Sequence, residues 1–140
     1  MGMKPTRWQQ RFENFTKAFL LLESTFQGKE LTQFSDLEKE GIVQRFEYTF
    51  ELAWKTLKDY LEASGVVLPQ ITPKQVLKEA FSAKIIANAT SWSQMLESRN
   101  MASHTYDKKK CEALVELIAI SFLPELKEMF ATFQKLDTSV

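Results

Sequence analysis

The chain predicts an all-α fold, an antiparallel up-and-down four-helix bundle with one additional short helix, forming a single domain over residues 1–140. Three observations predict it. Apolar residues recur at spacings of three and four, as on one face of a helix. Glycine and proline occur only four times each and fall at punctuation points of the pattern. No stretch alternates apolar with polar residues as a half-buried strand does, and no internal repeat is present.

The first helix carries Trp8, Phe12, Phe15, Phe19, Leu22 and Phe26, one continuous stripe that ends at Gln27-Gly28-Lys29. Ser35-Asp36-Leu37-Glu38 then reads as a capping box, in which the serine and glutamate satisfy each other's free backbone N–H groups. The second helix runs from there to about Ser64-Gly65, roughly 40 Å at the rise of an α-helix. Ile42, Phe46, Phe50, Ala53, Leu57 and Leu61 form its stripe, widened by Tyr48, Leu52, Trp54 and Tyr60. That surface exceeds what one neighbouring helix covers. Phe46, Phe50 and Trp54 are therefore expected to divide between core and an interface with a second copy. Gly65 stands where a C-terminal glycine cap belongs.

The stretch VVLPQITPK is extended, because each proline pushes the preceding residue out of the helical region. Thr72-Pro73-Lys74-Gln75 restarts a helix whose apolar side holds Val76, Leu77, Ala80, Phe81 and Ile85. Ser91-Trp92-Ser93-Gln94 reads as the box opening a short fourth helix with Met95, Leu96 and Arg99. The last helix starts near Asp107 and contains Leu114, Leu117, Ile118 and Phe122. Pro124 should kink it or separate off a final piece with Leu126, Met129, Phe130 and Phe133.

The 18 basic and 18 acidic residues cancel, so no global charge draws the chain to nucleic acid or an acidic membrane. A nucleic-acid role needs a local basic patch. One cysteine, Cys111, excludes an intramolecular disulfide, and one histidine excludes a Cys/His metal cluster; no cofactor and no metal are expected. The opening MGMKPTRWQQ is polar and no apolar run reaches membrane-spanning length, so a cytoplasmic protein without membrane contact is expected.

The chemistry concentrates in SRNMASHTYD, residues 98–107, which holds the single histidine, His104. Arg99 and His104 are five apart, about 140° around an ideal helix, so a regular helix would separate them. Either the helix stops near Ala102 and the chain bends, or the two are shared across a symmetric dimer. Ser103, Thr105 and Asp107 favour a stop and restart, since each competes for backbone groups. Histidine exchanges protons near neutrality and arginine is a permanent, bidentate phosphate ligand, so the pair suits metal-independent RNA cleavage, with Asn100 orienting either group. Lys108, Lys109 and Lys110 supply a local cationic patch for a phosphate backbone. The same residues taken singly are also what a polar inter-helix turn looks like. Elsewhere, Glu47 and Glu51 read as members of surface ion pairs with Arg45 and Lys55 rather than as a metal site. Cys111 follows three lysines but reads as a small core residue rather than a reactive thiol.

The pattern Arg99-Asn100-x-x-x-His104-x-Tyr106 resembles the RNxxxH signature of the HEPN domain superfamily. The helix EGIVQRFEYTFELAWKTLKDYLEASG, with Pro73-Lys74 and Trp92, is similar to one branch of it, the nucleotidyltransferase substrate-binding protein family. The similarity runs from about Phe34 to Phe130. It implies a homodimer with the two motifs facing a shared cleft, and a complex with a separate minimal nucleotidyltransferase. It implies one of two roles. In the first, the chain is an endoribonuclease toxin using Arg99, Asn100 and His104, neutralised by its partner through AMP added to Tyr106. In the second, it is a noncatalytic subunit that presents a nucleotide or other substrate to the partner.

Overall fold

The computed structural model describes residues 4–102 and 107–138. Helix α1 spans Arg7–Thr25, α2 Asp36–Ala63, α3 Pro73–Ser82, α4 Ala89–Asn100, α5 Lys108–Leu117 and α6 Leu123–Thr138. A short 3₁₀ turn, Leu31–Gln33, lies between α1 and α2. Among the described residues there is no strand.

Local chemistry accounts for most boundaries. The Ser35 hydroxyl accepts from the Glu38 N–H at 3.1 Å, and the Glu38 carboxylate accepts from the Ser35 N–H at 2.9 Å, closing the expected box on α2. Thr6 and Gln9 make an equivalent box on α1 that the apolar stripe alone did not reveal. Gly65, at φ +89°, ends α2: its N–H donates to the Glu62 carbonyl, and the Val66 N–H to the Leu61 carbonyl. That double bond pattern requires a left-handed residue at its centre, which glycine adopts without steric cost. Helix α4 starts earlier than its Ser91 box suggests. Asn88 is its cap, accepting from the Ser91 N–H at 3.0 Å while donating to Glu125 of α6 at 3.2 Å.

Pro124 does not break the last helix. Between α5 and α6 the chain makes a wide π turn, Ile118–Phe122, and the Leu123 N–H donates to Ile118, five residues back. The wider turn falls where a proline ring would press on the carbonyl four residues behind it, and the helical run passes from α5 through this turn into α6 without a gap.

Helix α1 lies antiparallel along α2. Trp8 meets Tyr60 at one end, and Arg45 donates to the Thr25 hydroxyl toward the other. Helix α6 packs on α1, while α2 also touches α3, α4 and α5. The long rods are α1, α2 and α5–α6; α3 and α4, at 10 and 12 residues, together complete the bundle. The ring contacts of the core fall into two main groups. One joins Trp8, Phe12, Phe15, Phe19, Tyr60, Phe130 and Phe133 toward the start of α1. The other joins Phe46, Phe50, Trp92 and Phe122. Phe46, Phe50 and Trp54 are all buried within this chain, which corrects their expected division between core and interface. The second partner surface for α2 is supplied by α3, α4 and α5.

Candidate functional site

Helix α4 stops at Asn100, and Met101 donates back to the Glu97 and Ser98 carbonyls. Ala102 follows as a buried residue. The expected stop near Ala102 is therefore where the chain leaves the helix. His104 and Tyr106, the other half of the RNxxxH-x-Y pattern, lie outside the described residues, as do Ser103 and Thr105. Asp107 then caps α5 by accepting from the Lys110 N–H at 3.2 Å.

Arg99 sits on the last turn of α4, half-buried, and faces α2. One guanidinium nitrogen donates to the Glu51 carboxylate, and the other terminal nitrogen donates to the Asn100 side-chain oxygen at 3.0 Å. Glu51 in turn accepts from the Trp54 indole N–H at 3.2 Å and lies 3.7 Å from the Lys55 ammonium. Glu47, one turn earlier on α2, is beside the same guanidinium. Burial pushes its carboxyl above the ordinary value, and the Arg99 charge pulls in the opposite direction. The Glu51–Lys55 pair is as the sequence suggests. Arg45, however, turns away to Thr25, and the cation that Glu47 and Glu51 share is Arg99.

That contact was the part missed from sequence. Its signal was the placement of Glu47 and Glu51 on one helix face next to a chain that must bring an arginine back. Nothing local marks that arginine as number 99, since 48 residues separate the partners. Asn100 is exposed and holds Arg99 rather than burying itself. An arginine has five N–H donors, so two bonds leave the fork able to take an oxyanion.

Lys108, Lys109 and Lys110 are exposed on the first turn of α5. Lys108 lies 3.9 Å from the Asp36 carboxylate at the start of α2, a loose surface pair. No ion pair among the described residues uses Lys109 or Lys110. Two lysines therefore keep their charge for solvent or a ligand at this end of the bundle.

Cys111 is buried, and burial raises its thiol pKa, with the nearby Glu40 carboxylate adding to the effect. It is a packing residue. Among the described residues no group of three or more His, Cys, Asp and Glu could hold a metal ion. None of the described helices is long and apolar enough to cross a membrane. An open trough of about 830 Å³ lies between the start of α1 and the end of α6, lined in part by Phe12 and Phe130. It is at the opposite end of α2 from the Lys108–Asp36 contact.

The chain has relatives in sequence and shape. A curated Haemophilus influenzae protein named "Probable ribonuclease HepT" is 33% identical over 93 residues, 61% of this chain and 64% of the relative. The chain thus spans just under two thirds of that relative's length. A solved Haemophilus influenzae structure, described as revealing the fold of a substrate binding domain of a nucleotidyltransferase, matches at TM-score 0.75 and 26% identity. The match covers 88% of this chain and 98% of that one. A protein from Thermus thermophilus matches at TM-score 0.67 and 28% identity, over 84% of this chain and 93% of its own. The family described as "Nucleotidyltransferase substrate binding protein like" matches residues 10–135, nearly the whole bundle, and the chain belongs to that family.

Proposed function

We propose that this chain is the dimeric, cytoplasmic partner of a separate minimal nucleotidyltransferase and that it is a single-domain, metal-independent endoribonuclease, a toxin which the partner silences. The observation that carries the reading is the setting of Arg99. It is a half-buried cation on the last turn of α4, oriented by Glu51 and Asn100, immediately before the segment that contains His104. A guanidinium held in advance costs no reorganisation when charge builds on phosphorus. His104 takes the 2′-hydroxyl proton, or returns one to the leaving 5′-oxygen, and Asn100 keeps the arginine fork in register. The exposed lysines at the start of α5 track the RNA backbone. The relative named as a probable ribonuclease supports this reading.

In a dimer, Arg99 and His104 of two protomers line one cleft. Tyr48 and Met101 are both exposed, Tyr48 beside Glu47 and Met101 just past Asn100, and such apolar groups around a polar site suit a symmetric contact. AMP on Tyr106 would bring negative charge and bulk into that cleft and exclude RNA.

The test is cleavage of total RNA in EDTA by the purified chain. Arg99→Ala and His104→Ala should each lower the rate by about 100-fold or more. Equal cleavage by all three proteins removes the site.

A second reading has support of its own. The family and the first structural neighbour are both described by nucleotidyltransferase substrate binding. Here the chain is a noncatalytic subunit that presents a nucleotide or other substrate. Absence of cleavage, together with co-purification with a nucleotidyltransferase, would favour it. A mass gain of one AMP that Tyr106→Phe abolishes would identify the modified residue under either reading.

A further inference from the structure

Pro73-Lys74 and Trp92, distinctive in the sequence, take no part in the Arg99 cluster. Lys74 and Trp92 meet instead at a cavity of about 280 Å³ between α3 and α4. That is near the lower end of small-molecule sites, roughly 300–1,000 Å³. Lys74 and Lys78 stand on its α3 side, with Phe81 two turns along from Lys74; Trp92, Ser93 and Leu96 line the α4 side. Trp92 is fully buried and forms an apolar floor, whereas Phe81 is 47% exposed and makes none of the ring contacts described above. The cavity thus offers a buried indole, a free phenyl ring and two ammonium groups.

The lysines are costly where they are. Lys74 and Lys78 are like charges one turn apart, an unfavourable pairing on a helix. Lys74 also sits in the first turn, where the helix dipole repels a cation. No ion pair among the described residues uses either. An anionic ligand with a flat apolar ring answers both features, because a base can stack on the phenyl ring while its phosphate meets the ammonium groups.

The cavity also points at Arg99. Its α4 residues Ala89, Trp92, Ser93 and Leu96 follow the three-four rhythm of one helix face, and the next positions on that face are Arg99 and Asn100. From Trp92 to Arg99 is two turns, about 10 Å along the axis. We infer that the α3–α4 cavity seats the base of a nucleotide neighbouring the phosphate held at Arg99, with Phe81 stacking and Lys74 and Lys78 on its phosphate. This placement rests on the ribonuclease reading; the nucleotide pocket itself does not.

The test titrates the full chain with the four nucleoside monophosphates, with adenosine and with inorganic phosphate, following Phe81 and Trp92 resonances by NMR. At least one nucleotide should shift both and bind at least about fivefold more tightly than adenosine or phosphate alone. Phe81→Ser and the double variant Lys74→Glu/Lys78→Glu should each weaken it by about fivefold or more. The three residues are exposed, so Tm should hold. No shift at Phe81 and Trp92, equal binding of inorganic phosphate, or unchanged affinity in the variants overturns the pocket. Nucleotide binding without RNA cleavage would end the ribonuclease reading alone. If RNA is cut, the pocket variants should change base preference beside the cut, and an unchanged preference overturns the placement.

Discussion

Arg99 and Glu47 test each other. Glu47 gains protons more readily in the fold than in the unfolded chain because burial raises its pKa, while the neighbouring guanidinium limits that rise. Removing the guanidinium removes the opposing effect. In Arg99→Ala the Glu47 carboxyl should therefore titrate higher than in the wild type, read from its carboxyl carbon shift across pH. An unchanged midpoint would mean that Arg99 does not sit over α2 in solution. The stability consequence has a definite sign. An acid with a raised folded pKa binds more protons folded than unfolded, so its contribution is fully present below its ordinary value of 4.5 and is lost as pH rises through the raised value. Glu38 runs the other way. Its pKa is lowered, first by the Ser35 backbone N–H and then by Lys29, so the contribution of the α2 box is lost as pH falls through that lowered value. Denaturant unfolding of Glu47→Gln should thus gain on the wild type as pH is raised toward neutrality.

At the scale of elements, helix ends decide the geometry, and their chemistry was unevenly legible. Ser35-x-x-Glu38 announced α2, and Gly65 announced its end, because each bond is made within a few residues. Asn88 was hidden behind the better-looking Ser91, since what favours Asn88 is Glu125, 37 residues away on another helix. The π turn before Pro124 was hidden too; a proline signals trouble but not whether the helix breaks or widens. Helix α3 ends like α2, with the Ile85 N–H donating to Ala80 and the Lys84 N–H to Phe81, but its left-handed residue is a lysine, Lys84 at φ +63°. A side chain there costs about 1 kcal/mol or more, part of which glycine would offset by its freedom in the unfolded chain. Lys84→Gly should stabilise by about 0.5–1 kcal/mol, seen as a higher urea midpoint at unchanged slope. A fall in midpoint would show that the lysine side chain has packing value that outweighs its backbone strain.

Across the whole molecule, periodicity was enough for the bundle, and the aromatic stripes of α1 and α2 did become its core. What periodicity could not deliver was pairing between distant elements. Asp59 shows this best. In KTLKDYLEASG it reads as part of the polar face, yet its side chain is fully buried, bonded to Arg11 of α1 at 3.0 Å and lying 3.1 Å from the Lys58 ammonium. Arg99–Glu51 is the same kind of link, and both depend on how the rods stack. The two ring groups make the dependence testable, because Phe50 belongs to the group that includes Trp92 of α4 and Phe12 to the group at the start of α1. Both are buried, so either truncation to alanine should cost about 3–5 kcal/mol through lost burial and a residual cavity. Their effects on the site should differ. Phe50 touches Trp92, which carries α4 and the floor of the α3–α4 cavity, and its neighbour in sequence is Glu51. Under conditions where both variants remain folded, Phe50→Ala should displace the Glu47 titration and Phe12→Ala should leave it in place. If both variants moved it equally, the bundle would be transmitting strain along its full length, and the site could not be treated as a feature of the α2–α4 contact alone.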